Sequence, residues 1–210
     1  MKGLWNPGAV GISGVHLLNQ VLLHHDWLED PVLGYDGIAE WLFIGMLLVV
    51  IALGGGRRGT PWRRAAVAAG LSAGLALAVG KVISDAVDRQ RPFVAHPRLV
   101  HLFAGHAADA GFPSDHTTAA FAIGVAIVLR NRLWGAIVLV FAAILGFARV
   151  ALGYHYPTDV IGGAVLGSAA ALLLWTPPLR AIINRVSDLV GRILDRVVGR
   201  VLPARFGLKT

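Results

Sequence analysis

Five apolar runs, at residues 38–54, 65–83, 117–130, 132–149 and 159–175, constrain this chain more than anything else in it. They are continuously apolar and do not alternate, which favours helices over spanning strands, and about 20 such residues cross the roughly 30 Å hydrocarbon layer of a bilayer. The third run is short unless its helix starts in the polar Ser114-Asp115-His116 stretch. Backbone breakers fall between the runs, at Gly54-Gly55-Gly56, Pro92, Pro113, Pro157 and Pro177-Pro178. The expected fold is therefore all-α, a polytopic membrane helix bundle of five or six transmembrane or interfacial helices. Composition agrees, because 15% charged residues is far below the roughly 25% of soluble domains. A second folded domain does not fit into 210 residues beside five spans; the expected division is a membrane domain over 1–178 and a tail over 179–210.

Charge orients the bundle. Arg57, Arg58, Arg63 and Arg64 follow the first run, Arg130 and Arg132 separate the third from the fourth, and the tail carries Arg180, Arg185, Arg192, Arg196, Arg200, Arg205 and Lys209. In a five-span chain these connections share one side, and the positive-inside rule makes that side cytoplasmic. The loop at 84–116 and the turn at 150–158 then meet on the outer face of a cell membrane, with the acidic residues of the N-terminal segment. A net charge of +7 distributed in this way reads as topology, not as a nucleic-acid surface. Residues 9–25 read as an interfacial or partly inserted helix, too interrupted by Asn19 and Gln20 for a signal peptide. The tail at 179–202 reads as a basic amphipathic helix on the inner leaflet. Six tryptophans, from Trp5 to Trp175, sit near expected span ends, and Gly163 and Gly167 favour close helix packing within the chain.

The outer segments hold the chemistry. Arg149, His155 and Asp159 sit at intervals that a helix–turn–helix brings together: the carboxylate accepts the proton of one imidazole nitrogen and leaves the other free to attack phosphorus. Taken alone, Asp159 reads equally well as a helix cap. Arg91 offers a planar fork matched to phosphate oxygens, Ser114 and neighbouring amides complete an anion cradle where the third helix begins, and His116 is placed to protonate a leaving group. With two guanidinium groups supplying positive charge, the scheme requires no metal and no cofactor. Zero cysteines rule out thiolate chemistry. His96, His101 and His106 match no usual zinc spacing, and the loop at 94–111 reads instead as a flap over the headgroup.

Arg91-Pro92, Pro113-Ser114-Asp115-His116 and Arg149 through His155 to Asp159 resemble, in order, the three signature motifs of the phosphatidic acid phosphatase type 2 superfamily. The stretch from Arg91-Pro92-Phe93-Val94 to Phe112-Pro113-Ser114-Asp115-His116 is more similar still to its bacitracin-resistance type of undecaprenyl pyrophosphate phosphatase. The resemblance covers roughly 81–163. It implies His155 as a nucleophile forming phosphohistidine, Asp159 as its partner, His116 as general acid, and Arg91, Ser114 and Arg149 as phosphate ligands. Three positions depart from the pattern. The lysine usual seven residues before the motif arginine is Ser84 here, with Lys81 one helical turn earlier as a substitute ligand. Asp115 replaces a glycine, placing an anion that would modulate phosphate binding, and Ala148 replaces a serine. The expected activity is hydrolysis of a polyprenyl pyrophosphate to the monophosphate at the outer face. A broader lipid phosphatase acting on phosphatidylglycerol phosphate or phosphatidate, and a non-catalytic phospholipid carrier, are the alternatives.

Overall fold

The computed structural model describes residues 8–53 and 56–201; within them every regular element is helical. In chain order these are α1 (Gly8–Leu23), α2 (Asp26–Leu53), α3 (Gly56–Val87), the single turn α4 (Pro92–Ala95), α5 (Asp115–Val128), α6 (Arg132–Ala151), α7 (Pro157–Trp175) and α8 (Pro177–Val201). The all-α membrane bundle expected from the apolar runs is what forms. Four helices are long and apolar enough to cross a membrane, belonging to α2, α3, α6 and α7. Trp5, Gly54, Gly55, Arg205 and Lys209 lie outside the described residues.

The short third run does begin in the polar cluster, so α5 has 14 residues and is about 21 Å long at 1.5 Å per residue. It is the central helix, packed by α3, α6 and α7, with Ala120, Ala122, Ile123 and Ala126 buried. Close approach to α7 depends on glycine: a Cβ on Gly167 would stand 2.2 Å from the Thr118 carbonyl oxygen, and one on Gly163 would stand 2.7 Å from that of Ser114. In lipid, where burial of apolar surface drives helices together only weakly, such backbone proximity is the main source of packing energy. The small-residue spacing read from the sequence is thus an intramolecular seam.

One boundary moved. α2 starts at Asp26, not near residue 38, because Asp26 and Glu29 in its first turn favour a helix N-terminus and the polar stretch continues the helix through Pro31. That extension carries Asp36 toward the site, one turn before Glu40. α1 is more than interfacial: Asn19 is fully buried, donating to the carbonyls of His101 (3.0 Å) and Ala151 (2.9 Å) and accepting from the His101 amide (2.7 Å). α8 folds back over the opposite end, where Arg63 pairs with Asp195 at 2.7 Å, Arg64 pairs with Asp188 at 2.5 Å and Arg130 donates to Asn184. Ile182, Val186, Leu189 and Ile193 remain exposed on its outer stripe.

Candidate active site

Both polar clusters meet at one end of the bundle, where the α3–α5 loop, the α6–α7 turn and the first half of α2 converge. His155 is fully buried in that turn. Its Nδ1 lies 2.8 Å from the carbonyl oxygen of Gly111, which can only accept, so Nδ1 carries the proton and donates. Nε2 is then the lone-pair nitrogen, and it accepts from Arg91 Nη1 at 3.0 Å. Burial, followed by the charges of Arg149 and Arg91, pushes the imidazole pKa well below its ordinary 6.5. The ring is held neutral, with a fixed tautomer and its lone pair against a guanidinium.

Asp159 differs from expectation. It lies 3.8 Å from His155 Nδ1, and its oxygens are taken elsewhere: Oδ2 accepts from the Tyr156 amide at 2.8 Å and Oδ1 from Arg89 Nη1 at 2.5 Å. The cause is local. Asp159 is the third residue of α7 and reaches back to cap the helix start, as N3 side chains do, while the chain ahead of Arg91 delivers Arg89 beside it. The orienting acceptor for His155 is a backbone carbonyl, and Asp159 acts one step removed, fixing the turn that holds the ring. Arg89 also stacks over Tyr156, 4.7 Å from the ring centroid, and donates to Thr158 at 2.9 Å.

The arginines are positioned by partners that sequence reasoning missed. Arg91 Nε donates to Asp109 at 2.8 Å, and its Nη1 also reaches the Tyr154 carbonyl at 3.2 Å. Arg149 is held by both oxygens of Asp36 at 3.0 Å, donates to His106 Nε2 at 2.8 Å and lies over the Tyr154 ring. His106 stacks on that ring too, and burial, outweighing its own bond to the Ala107 carbonyl, lowers its pKa, helped by the charges of Arg91 and Arg149. Arg89 alone was within reach of sequence inspection, two residues before the motif arginine; Asp36 and Asp109 carry no spacing signal.

Ser114 is fully buried with Oγ 3.1 Å from Thr117 Oγ1, while its amide donates to the Asp159 carbonyl at 3.1 Å, tying the start of α5 to α7. His116 opens one turn of α5 with Nε2 3.8 Å from Glu40, and the charges of Arg149, Asp36, His106 and Arg91 all act on it. Lys81 departs from its expected role: it is exposed and bonded to Asp85 along its own helix, at the rim of the site. Asp115 and Lys81 both border a groove of about 670 Å³ between α2, α3, α5 and α6, which starts at Glu40 and His116 and continues along apolar residues such as Phe43, Leu77 and Ile123.

The loop at 96–114 is docked over this end. Val100 is buried, Phe103 packs against the cluster of Leu22, Leu152 and Tyr154, and His101 meets Phe103 edge to face at 4.8 Å. Among the described residues no three His, Cys, Asp or Glu side chains are gathered as metal ligands would be. Such an arrangement, a buried neutral imidazole with its lone pair against Arg91, at the end of the bundle where His116 borders an apolar groove, can accept a phosphoryl group from a lipid.

Comparison with known proteins agrees. The family model described as PAP2 superfamily matches residues 65–183. The chain is 34% identical over 182 residues to undecaprenyl-diphosphatase BcrC of Bacillus subtilis, covering 86% of this chain and 90% of that one. It is 34% identical over 192 residues to the bacitracin transport permease protein BcrC of Bacillus licheniformis, covering 90% and 91%. Among solved structures, Aquifex aeolicus LpxE superposes with a TM-score of 0.62 at 21% identity, covering 79% of this chain and 94% of that one.

Proposed function

The chain belongs to the PAP2 superfamily of membrane lipid phosphatases, and from that premise we propose that it hydrolyses a polyprenyl diphosphate to the monophosphate on the extracytoplasmic face, through a phosphohistidine on Nε2 of His155. The observation that carries this reading is the fixed tautomer: Nδ1–H donates to Gly111 and the Nε2 lone pair lies against Arg91. Nε2 attacks the terminal phosphorus, the bond from phosphorus to the bridging oxygen breaks, and the departing polyprenyl monophosphate takes a proton from His116. Water then attacks the phosphohistidine, His116 recovers a proton from it, and inorganic phosphate leaves with His155 regenerated. Arg91 and Arg149 stabilise the charge on the equatorial oxygens, and the α5 N-terminus beyond Ser114 adds its amides. Burial, then the charge of Arg149, pushes the His116 pKa down to about 4, so the protonated acid that the first step needs depends on the negative charge of Asp36 and of the bound diphosphate. Asp159 and Arg89 position the His155 turn; Asp115 and Lys81 stand at the rim, where they meet the substrate as it enters.

The substrate class is supported by the relatives of both Bacillus species and by the groove, which gives a long hydrocarbon a path away from His116. The outer location is supported by the arginines of the opposite end. In the scheme the arginines do the work of a metal ion, so the reaction should proceed in EDTA.

The test is phosphate release from undecaprenyl diphosphate in detergent with EDTA, comparing the intact protein with His155→Ala. Release by the intact protein that falls to background in the variant is expected. Equal release by both would remove His155 from the reaction, dependence on added magnesium would overturn the metal-free scheme, and preferred turnover of phosphatidylglycerol phosphate or phosphatidate in competition would assign a different lipid.

A further inference from the structure

The groove at the site is not the only cavity along α2. A second, almost wholly apolar chamber of about 320 Å³ lies nearer the opposite end of the bundle, bordered by Met46, Val50, Ala66, Ile127 and Val138 and by Trp62 and Trp134, whose rings meet edge to face at 6.4 Å. Among the described residues, one side chain borders both spaces: Leu47. It is 7% exposed and belongs to the same packed cluster as Ala66, Ile123 and Ile127. The two cavities follow the same four helices, α2, α3, α5 and α6, in the same order from the polar end to the far end. Leu47 stands where the two spaces meet, while the groove also runs past it along α2 to Leu48 and Ile51.

We propose that the chamber beyond Leu47 is a distal tail subsite, which takes the far portion of the substrate's hydrocarbon chain, and that Leu47 sets the chain length at which it is engaged. This rests on the reading of the protein as a polyprenyl diphosphatase. The occupant is argued from continuity: the chamber prolongs a groove whose head is polar, with Glu40, Lys81, Asp115 and His116, and whose body is apolar. A short isoprenoid ends before Leu47. A long one passes it by displacing one leucine side chain, which rotates at little cost compared with moving a helix. The wall is shaped by Ala65 and Ala66 on α3, where small side chains leave room for a methyl-branched chain. A tail leaving lipid for protein gains no hydrophobic free energy, so discrimination comes from fit and exclusion, and filling the chamber should act on long substrates alone.

The experiment compares kcat/KM for 15-carbon farnesyl diphosphate and 55-carbon undecaprenyl diphosphate, in the same detergent, for the intact protein, Leu47→Trp, which blocks the junction, and Val50→Phe, which fills the chamber from the less crowded side of α2. Val50→Phe should lose about tenfold on the long substrate, the factor that about 1.4 kcal/mol of lost fit produces, and keep the farnesyl rate, which also shows that it is folded; Leu47→Trp, which borders the groove as well, should lose at least as much on the long substrate. If Leu47→Trp loses both activities, Val50→Phe decides. Val50→Phe that leaves the ratio of the two rates unchanged overturns the subsite while leaving the diphosphatase reading intact. No release from either substrate by the intact protein overturns both.

Discussion

At the scale of single residues, the site is a set of charges that hold one another in place. Arg89 and Asp159 form an ion pair with side chains 4% and 0% exposed, and removing one partner strands the other in a dry interior. Arg89→Ala should therefore cost about 3–5 kcal/mol of stability, read as a lowered thermal midpoint in detergent without substrate; an unchanged midpoint would show that the pair does not brace the His155 turn. The imidazole itself makes a prediction about pH. In the proposed reaction the neutral form attacks, and burial, then Arg149 and Arg91, push its pKa well below 6.5, so the ring stays neutral into acid and the acid limb of kcat/KM should lie below pH 6.5. Arg91→Ala removes one of those charges and should move the limb upward among whatever activity remains. An acid limb centred above pH 6.5 in the intact protein would contradict the assignment of His155 as the attacking base.

At the scale of elements, α5 and α7 determine whether the site exists. They carry His116 and Asp159, and their spacing is fixed by Gly163 and Gly167, where any side chain would collide with the α5 backbone. Gly167→Ala should destabilise by about 1–3 kcal/mol through overpacking, whereas Gly45→Ala on α2, with no atom within 4 Å of the added methyl, should be neutral. Equal behaviour of the two variants in a thermal melt would mean that the seam is looser than its geometry. The length of α2 matters in a different way. Its first turns were legible as polar and acidic, and Asp26 and Glu29 suit a helix start, but Pro31 and Gly34 argue for a break and leave the matter open. Only packing against α6, where Tyr35 donates to the Phe141 carbonyl at 2.8 Å, decides it, and with it the pairing of Asp36 with Arg149.

At the scale of the whole molecule, the arginine-rich connections and the chemistry occupy opposite ends of one bundle, and absence of native cysteine makes sidedness directly measurable. Ala107→Cys, exposed in the loop over the site, should react with a membrane-impermeant maleimide applied to intact cells, and Arg185→Cys on α8 should react only after the cells are opened; the reverse pattern would invert the topology. The sequence by itself determined the class of the fold, because a run of apolar residues long enough to span a bilayer has few other solutions, and it supplied the candidates for the proposed reaction, imidazoles and guanidinium groups at short spacing in connections that share a face. What it left open was who touches whom. Asp159 looked like the partner of His155 because four residues on a helix bring side chains together, yet the backbone carbonyl of Gly111 takes that position and Arg89 takes the carboxylate. A carbonyl oxygen has no residue type to read, and Asp36, Asp109 and His106 reach the arginines from segments up to 113 residues away along the chain. Those contacts depend on how helices of a given length cross and on how a loop settles over them, quantities that belong to the packed bundle and to no local stretch of chain.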